Sequence, residues 1–410
     1  MSSPLSWPWY IQSLAVLWTV EIGLCAWLVW MAHFSGRRMR RIAAQELDKN
    51  FPQVAVIVPI KGIDEHTPEN LRALLDQDYP NYHLIFAVES SDDPVCELLH
   101  SLSLTQAPER VKLVVSGHTQ KRGQKVHNQL AAIDTTTEKD EILAFMDADA
   151  HPNPRWLHAL VLPLTYHPWY IGATTGYRFY VPANNHPANG ILCAINAKIA
   201  GLIGPYRWTA AWGGSMAMRR NDFFSYGVFR AWQGALSDDF AVTYCVKKIA
   251  RSRIHFVPLC MVASAGTFNW RTLQEFAVRQ YRITRVCALS LWFSAFIGAL
   301  LFCLTLLSAP IAAIIAAAFS QRLWWTGLAV FGAVYLLAIW RGILLLRNAR
   351  KLLPDHWPEI RQARPWFIMG SPLVQGFNLF YLVCSCFGNT ITWRGIRYKM
   401  KSRTQTEVLG

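Results

Sequence analysis

The sequence predicts an α/β domain of parallel βα units, flanked by N-terminal and C-terminal transmembrane helices. Three observations predict it. Between residues 54 and 147, short apolar runs alternate with helical patterns, as strands joined by helical crossovers do. Residues 11–34 and 286–346 are apolar over lengths that cross a bilayer. One apolar run, residues 142–146, ends abruptly in Asp147-Ala148-Asp149.

Composition sets the frame for these elements. The chain has 410 residues, of which 52% are hydrophobic and only 16% charged, a balance too apolar for an ordinary soluble protein. That length accommodates one domain of roughly 200–250 residues beside a membrane portion. The net charge of +14 is clustered: Arg37, Arg38, Arg40 and Arg41; Arg347, Arg350 and Lys351; then Arg394, Arg397, Lys399, Lys401 and Arg403. These groups flank the apolar runs, as the positive-inside rule expects, so the partner they imply is a membrane and no nucleic acid. Nine cysteines are scattered without a Cys-x-x-Cys pair, which points to buried thiols rather than disulfides or zinc.

The elements follow in order. Residues 1–36 form a retained N-terminal anchor whose start faces outward, which places residues 37–285 in the cytosol. Within that region, residues 54–58 read as a buried strand that Pro59 to Gly62 turns outward. A helix over 71–75, strand over 83–88, helix over 95–104, strand over 111–115 and helix over 125–133 lead to the strand ending at Asp147. Parallel units bind ligands at the carboxyl ends of their strands, and Glu89, Ser116 and Asp147 all stand at such ends. After Gly213-Gly214, Ser237-Asp238-Asp239 opens a helix running to about residue 250, where a plain N-cap and a functional role compete for Asp238. Residues 286–390 hold about two spans plus a re-entrant or interfacial segment, because residues 366–387 are interrupted by Gly370, Pro372, Gln375, Gly376 and Asn378. Residues 391–410 are expected to be a basic cytosolic tail.

The carboxylate pair carries the chemistry. In an extended chain the side-chain period is two, so Asp147 and Asp149 leave one face and converge on one divalent cation. A hard cation held there neutralises the charge that develops on a departing diphosphate.

Several segments, in order, resemble family 2 and family 21 glycosyltransferases, and most closely ceramide glucosyltransferases. They are PIKGIDEHTPENLRALLDQDYP at 59–80, AVESSDDP at 87–94, residues 125–128, MDADA at 146–150, GGSMAMRRND at 213–222, SDDF at 237–240 and ITWRGIRYKMKSR at 391–403. The resemblance implies a GT-A domain, Rossmann-like in its nucleotide half, in a multi-pass membrane protein with its catalytic domain on the cytosolic face, the inner membrane in a bacterium. It implies an inverting transferase that moves a hexose, glucose from UDP-glucose, to a lipid hydroxyl such as that of ceramide. Pro59, Lys61, Glu89 and Asp92 would meet uracil and ribose, with Glu89 or Asp92 replacing a first aspartate whose place Ser90 takes. Lys125 would approach the phosphates, unless it is an exposed helix-start lysine. Asp147 and Asp149 would hold Mg²⁺ or Mn²⁺, and Asp239 would be the general base. Arg279 and Arg282 represent the family's (Gln/Arg)-x-x-Arg-Trp signature, with Ile283 in the tryptophan position; they clamp phosphates or serve as juxtamembrane topology charges. The alternatives are a processive polysaccharide synthase of family 2 and a catalytically inactive membrane scaffold.

Overall fold

The computed structural model describes residues 9–42, 51–104, 110–166, 169–321 and 323–409. Helix α1 (Trp9–Ile42) continues past residue 36, so the expected end of the anchor falls inside a helix. Arg37, Arg38, Arg40 and Arg41 lie on its last turns, their side chains outside the described residues.

The βα alternation appears as the sequence predicts: β1 (Val54–Pro59), α2 (Thr67–Leu75), β2 (Tyr82–Val88), α3 (Val95–Leu104), β3 (Val111–Val115), α4 (Gln124–Ile133) and β4 (Ile142–Met146). These strands pair in parallel in the order β3-β2-β1-β4. Both faces of the central strands are covered. Val54, Val56 and Val58 join one apolar cluster, while Ala55 and Ile57 join the other with Phe145 and Trp232. Two-sided burial explains why these strands read as unbroken apolar runs rather than alternating ones.

The second half, which reads as less regular in the sequence, also contributes to the sheet. After α5 (Trp156–Tyr166) come β5 (Ile171–Pro182), α6 (Pro187–Ala200), β6 (Ser215–Arg219), α7 (Arg220–Ser225), α8 (Val228–Trp232), α9 (Asp238–Tyr244) and β7 (Arg253–Gly266). They extend the sheet to seven strands, β3-β2-β1-β4-β6-β5-β7. Strand β6 alone runs antiparallel to its neighbours, and β5 and β7 are parallel to each other. The antiparallel strand brings Gly213-Gly214, just before it, beside the carboxyl end of β4.

A capped helix, α10 (Trp270–Cys287), leads to α11 (Leu289–Ala318) and α12 (Trp325–Leu352). Three segments, Ile11–Ser35, Leu289–Ala318 and Trp325–Leu352, are helical, long and apolar enough to cross a membrane. Short helices α13 (Trp357–Gln362) and α14 (Arg364–Phe367) precede α15 (Ser371–Ser385), whose 15 residues fall short of the ~20 a span needs.

Residues 391–410 are not a tail. Strands β8 (Thr390–Trp393), β9 (Ile396–Ser402) and β10 (Gln405–Val408) form an antiparallel sheet. Its basic residues alternate with buried ones: Tyr398 and Met400 pack against Ile283, Leu236 and Cys287, while Arg397, Lys399 and Lys401 face out. That period of two is a strand signal, which an interpretation in terms of topology charges overlooks.

Candidate active site

The carboxyl ends of β1, β2 and β4 open into a cavity of about 1220 Å³ lined by Pro59, Lys61, Glu89, Lys125, Asp147, Asp149, Asp239 and Arg279. Asp147 and Asp149 do converge, although by a turn rather than by extended alternation. The Ala150 amide donates to the Asp147 carbonyl, and Arg178 Nη2 reaches both carboxylates, at 3.1 Å from Asp147 Oδ2 and 2.5 Å from Asp149 Oδ1. Its Nη1 donates to Asp149 Oδ2 and to the Tyr180 hydroxyl, each at 3.1 Å, and the guanidinium lies over the Trp212 ring.

On the other side of Asp147, Lys125 Nζ donates to Asp147 Oδ1 at 2.6 Å and to Asp238 Oδ2 at 2.9 Å. Helix α4 delivers the lysine from its first turn, two residues after the N-cap Gly123, where a Cβ would stand 2.7 Å from the Leu236 carbonyl oxygen. Burial alone would lower the Lys125 ammonium, yet the Asp147 and Asp238 carboxylates together hold it above its ordinary range. Burial likewise works to raise Asp147, but Lys125 and Arg178 overcome it and keep this carboxyl below its ordinary range. So the ammonium expected at the phosphates is instead engaged by two acids, and Asp238 is its second counter-ion rather than a helix cap. The cap is Ser237, whose hydroxyl accepts from the Phe240 amide at 3.3 Å.

Two glycines permit this crowding. A Cβ on Gly213 would stand 2.3 Å from Asp238 Oδ2, and one on Gly214 would stand 2.5 Å from Asp147 Oδ2. Asp239 takes its place beside them at the start of α9. Its Oδ2 accepts from the Gly213 amide at 3.4 Å, and its Oδ1 accepts from the Phe240 amide at 2.7 Å and from the Ser237 hydroxyl. Burial, with the neighbouring Asp238 charge, pushes this carboxyl up to about 6.

Other expected residues divide. Lys61 pairs with Glu89 at 2.5 Å, so the carboxylate at the end of β2 does enter the crevice. Asp92 does not: it is exposed, and Asp93 is the inward one, accepting from the Gly62 and Val95 amides at 3.0 Å. A turn leading into α3 needs an acceptor for its free amides, and the geometry gives that work to Asp93. Arg279 lines the cavity over the Phe276 ring, but Arg282 does not join it. One turn further along α10, Arg282 is instead taken by the C-terminal sheet, donating to the Thr390 carbonyl at 2.6 Å. Ile283 packs against the C-terminal sheet, and aromatic surface in the cavity comes from Trp212 and Trp393 instead.

The sequence reading missed Arg178 and Arg394. Arg178 is the one cation in the apolar run 171–182, a signal visible only once that run is seen as a strand. Arg394, at the β8–β9 turn, donates to the Lys61 carbonyl at 3.0 Å and lines the cavity, though its sequence context reads as membrane-flanking charge.

The donor set suits a hard divalent cation. Two carboxylates meet at one point, and the acids there outnumber the two side-chain cations paired with them, Lys125 and Arg178. Among the described residues no third histidine, cysteine or carboxylate completes a protein-only metal site, so further ligand oxygens would come from a bound diphosphate.

Known proteins resemble this chain in part. Ceramide glucosyltransferase 3 of Caenorhabditis elegans is 29% identical over 108 residues, 26% of this chain and 24% of that protein. The ceramide glucosyltransferase of Komagataella phaffii is 35% identical over 83 residues, 20% of this chain and 15% of that protein. The matched part thus spans about a quarter or less of these curated relatives. Among solved structures, a mannosyltransferase of Pyrobaculum calidifontis in complex with GDP-Man and Mn²⁺ aligns over 90% of this chain and 97% of its own, with 18% identity and a TM-score of 0.44. The model of glycosyl transferase family 21 matches residues 16–406, and the chain belongs to that family.

Proposed function

We propose that the protein is an inverting, metal-dependent hexosyltransferase that moves glucose from UDP-glucose to the hydroxyl of a membrane lipid such as ceramide. The observation that carries this is a single cavity shared by Asp147, Asp149 and Asp239 and by residues of all three apolar helices, among them Leu24, Phe302 and Leu337. A lipid alcohol and a cytosolic nucleotide sugar then meet in one place.

In this reading Asp147 and Asp149 hold Mg²⁺ or Mn²⁺, which when bound would neutralise charge on the departing UDP. Lys125 keeps Asp147 ionised and bridges it to Asp238. Arg178, Arg279 and Arg394 surround the diphosphate, while Pro59 and the Lys61–Glu89 pair meet the nucleoside. Asp239 Oδ takes the proton from the acceptor hydroxyl as its oxygen attacks the anomeric carbon from the face opposite the leaving UDP, which inverts that centre. The three apolar helices cross the membrane, and the sheet domain lies on the cytosolic side with the nucleotide-sugar pool.

The test is direct. Purified protein is incubated with UDP-glucose, Mn²⁺ or Mg²⁺, and ceramide or diacylglycerol, beside an Asp239→Ala control. A hexosyl lipid and released UDP, absent from the control, are expected; neither product from the intact enzyme would overturn the reading.

A further inference from the structure

Glu21 has no part in the chemistry above, yet its position is unusual. It lies near the middle of the apolar segment Ile11–Ser35, where a carboxylate is costly and by default marks a functional site. It is 1% exposed, its Oε1 accepts from the Cys25 thiol at 3.1 Å, and its Oε2 is buried without a partner. The side chain lines the same cavity as the acids of β4 and α9, at the end formed by the apolar helices.

Two cations line that end as well. Arg341, within the apolar helix α12, donates from Nη2 to the Lys198 carbonyl at 3.3 Å. Lys198, on α6, donates from Nζ to the Gln375 side chain at 3.3 Å. Leu24, Leu28, Phe302 and Leu337 make the surrounding wall apolar. A small polar pole is therefore built into greasy surroundings, with donors on Lys198 and Arg341 and an unused acceptor on Glu21.

The chemistry selects the occupant. An alkyl chain would leave the buried Glu21 Oε2 unsatisfied, which is costly in an apolar setting. An anion offers no proton to that unused acceptor. A hydroxyl does both jobs, accepting from Lys198 or Arg341 while donating to Glu21 Oε2. We propose that Glu21, Lys198 and Arg341 form a second polar subsite, which binds a hydroxyl of the acceptor lipid other than the one that receives the sugar. This inference rests on the lipid-acceptor reading and specifies the acceptor as a lipid carrying at least two hydroxyls, the second set into its apolar frame.

The experiment compares 1-hexadecanol with a series of hexadecanediols that keep the terminal hydroxyl and move the second one along the chain. Binding to the full-length protein in nanodiscs is measured by competition, with UDP binding in the presence of Mn²⁺ as the control for folding. At least one diol should bind about tenfold more tightly than the monoalcohol, as a hydrogen bond to charged groups in an apolar site provides. That preference should vanish in Glu21→Leu and in Lys198→Met, with UDP affinity unchanged. Diols that bind no better than the monoalcohol, or variants that keep the preference, would overturn the inference. Should Glu21→Leu lose UDP binding through misfolding, Lys198→Met carries the test alone. Failure of the underlying transferase reading is distinguishable, because the wild-type protein would then fail to bind UDP at all.

Discussion

Arg178 binds Asp149 through both ends of its guanidinium, Nη2 to Oδ1 at 2.5 Å and Nη1 to Oδ2 at 3.1 Å. A bidentate pair of this kind holds the carboxylate in a fixed plane, and its second contact, to Asp147, makes the arginine the present counter-ion of the whole pair. A divalent cation taking the same carboxylates must displace it. Arg178→Met should therefore raise Mn²⁺ affinity in the absence of nucleotide by about tenfold, the scale of one charge-assisted contact. Titration of the Mn²⁺ electron paramagnetic resonance signal measures this. Unchanged or weaker Mn²⁺ binding would show that the arginine helps to build the metal site rather than compete for it.

Lys125 is the linchpin of the neighbouring pair of acids. Removing one member of a buried ion pair leaves the other uncompensated and costs about 3–5 kcal/mol. Lys125→Met should destabilise by that amount, and adding Asp238→Asn should restore part of it, because one of the two stranded charges is then gone. The pH dependence has a definite sign. Asp147 titrates below its ordinary value of 3.8 in the folded protein, so its contribution is present at neutral pH and is lost as pH falls below that value. Denaturant melts at several pH values would show this acid limb flattened in Lys125→Met.

What could be read from the residues tracks how local their signals are. The βα half was legible because its central strands β1, β2 and β4 are buried on both faces and carry their pattern within five to seven residues. The acids at 147, 149 and 239 stand out in the sequence because each adjoins the end of an apolar run or the start of an apolar helix. Strands β5 to β7 were not, since their partners lie far apart in sequence, and with β5 unseen Arg178 had no context. Asp92 and Arg282 were misplaced by contacts that spacing alone does not reveal: the turn into α3 uses Asp93 as its acceptor, and the Thr390 carbonyl takes the Arg282 guanidinium. The C-terminal sheet was hidden by its own charge, which satisfied the membrane rule before its alternation was weighed.

Gly213-Gly214 makes a steric prediction. Gly213→Ala would force a Cβ to 2.3 Å from Asp238 Oδ2, so either the Asp238 carboxylate leaves its ion pair with Lys125 or the loop moves. Movement of the loop away from α9 would take with it the Gly213 amide that donates to Asp239. A loss of about 1–3 kcal/mol of stability is expected, as for other overpacked sites, together with a larger fall in transfer than in UDP affinity. Equal losses in both would mean that the loop positions the nucleotide rather than the base.

Asp239 ties activity to pH. A base acts only when unprotonated, and this carboxyl is raised to about 6 by burial and by Asp238 beside it. The rate at subsaturating substrate should rise about tenfold per pH unit below that value and level off above it. Asp238→Asn removes the neighbouring negative charge, so the limb should move to lower pH. Asp239→Asn should cost about 10²- to 10⁴-fold in transfer with little change in UDP affinity. A profile unaltered by Asp238→Asn would mean that another group limits the acid side.

The C-terminal sheet closes the cavity beside the start of α4. The Tyr398 hydroxyl accepts from the Gln124 amide at 3.3 Å, and Arg394 donates to the Lys61 carbonyl at 3.0 Å. The first contact holds the helix that carries Lys125; the second, with a longer ion pair from Nη2 to Asp64 at 3.8 Å, holds a half-exposed guanidinium at the cavity wall. Tyr398→Phe should therefore cost about 1 kcal/mol of stability with little effect on KM, the ordinary worth of one such bond. Arg394→Ala should do the reverse, raising KM for the nucleotide sugar severalfold while leaving Tm within a degree or two, because the side chain is half exposed. Thermal melts and initial-rate kinetics on the two variants separate the roles, and a large drop in Tm with unchanged KM for Arg394→Ala would reduce that arginine to a structural clasp.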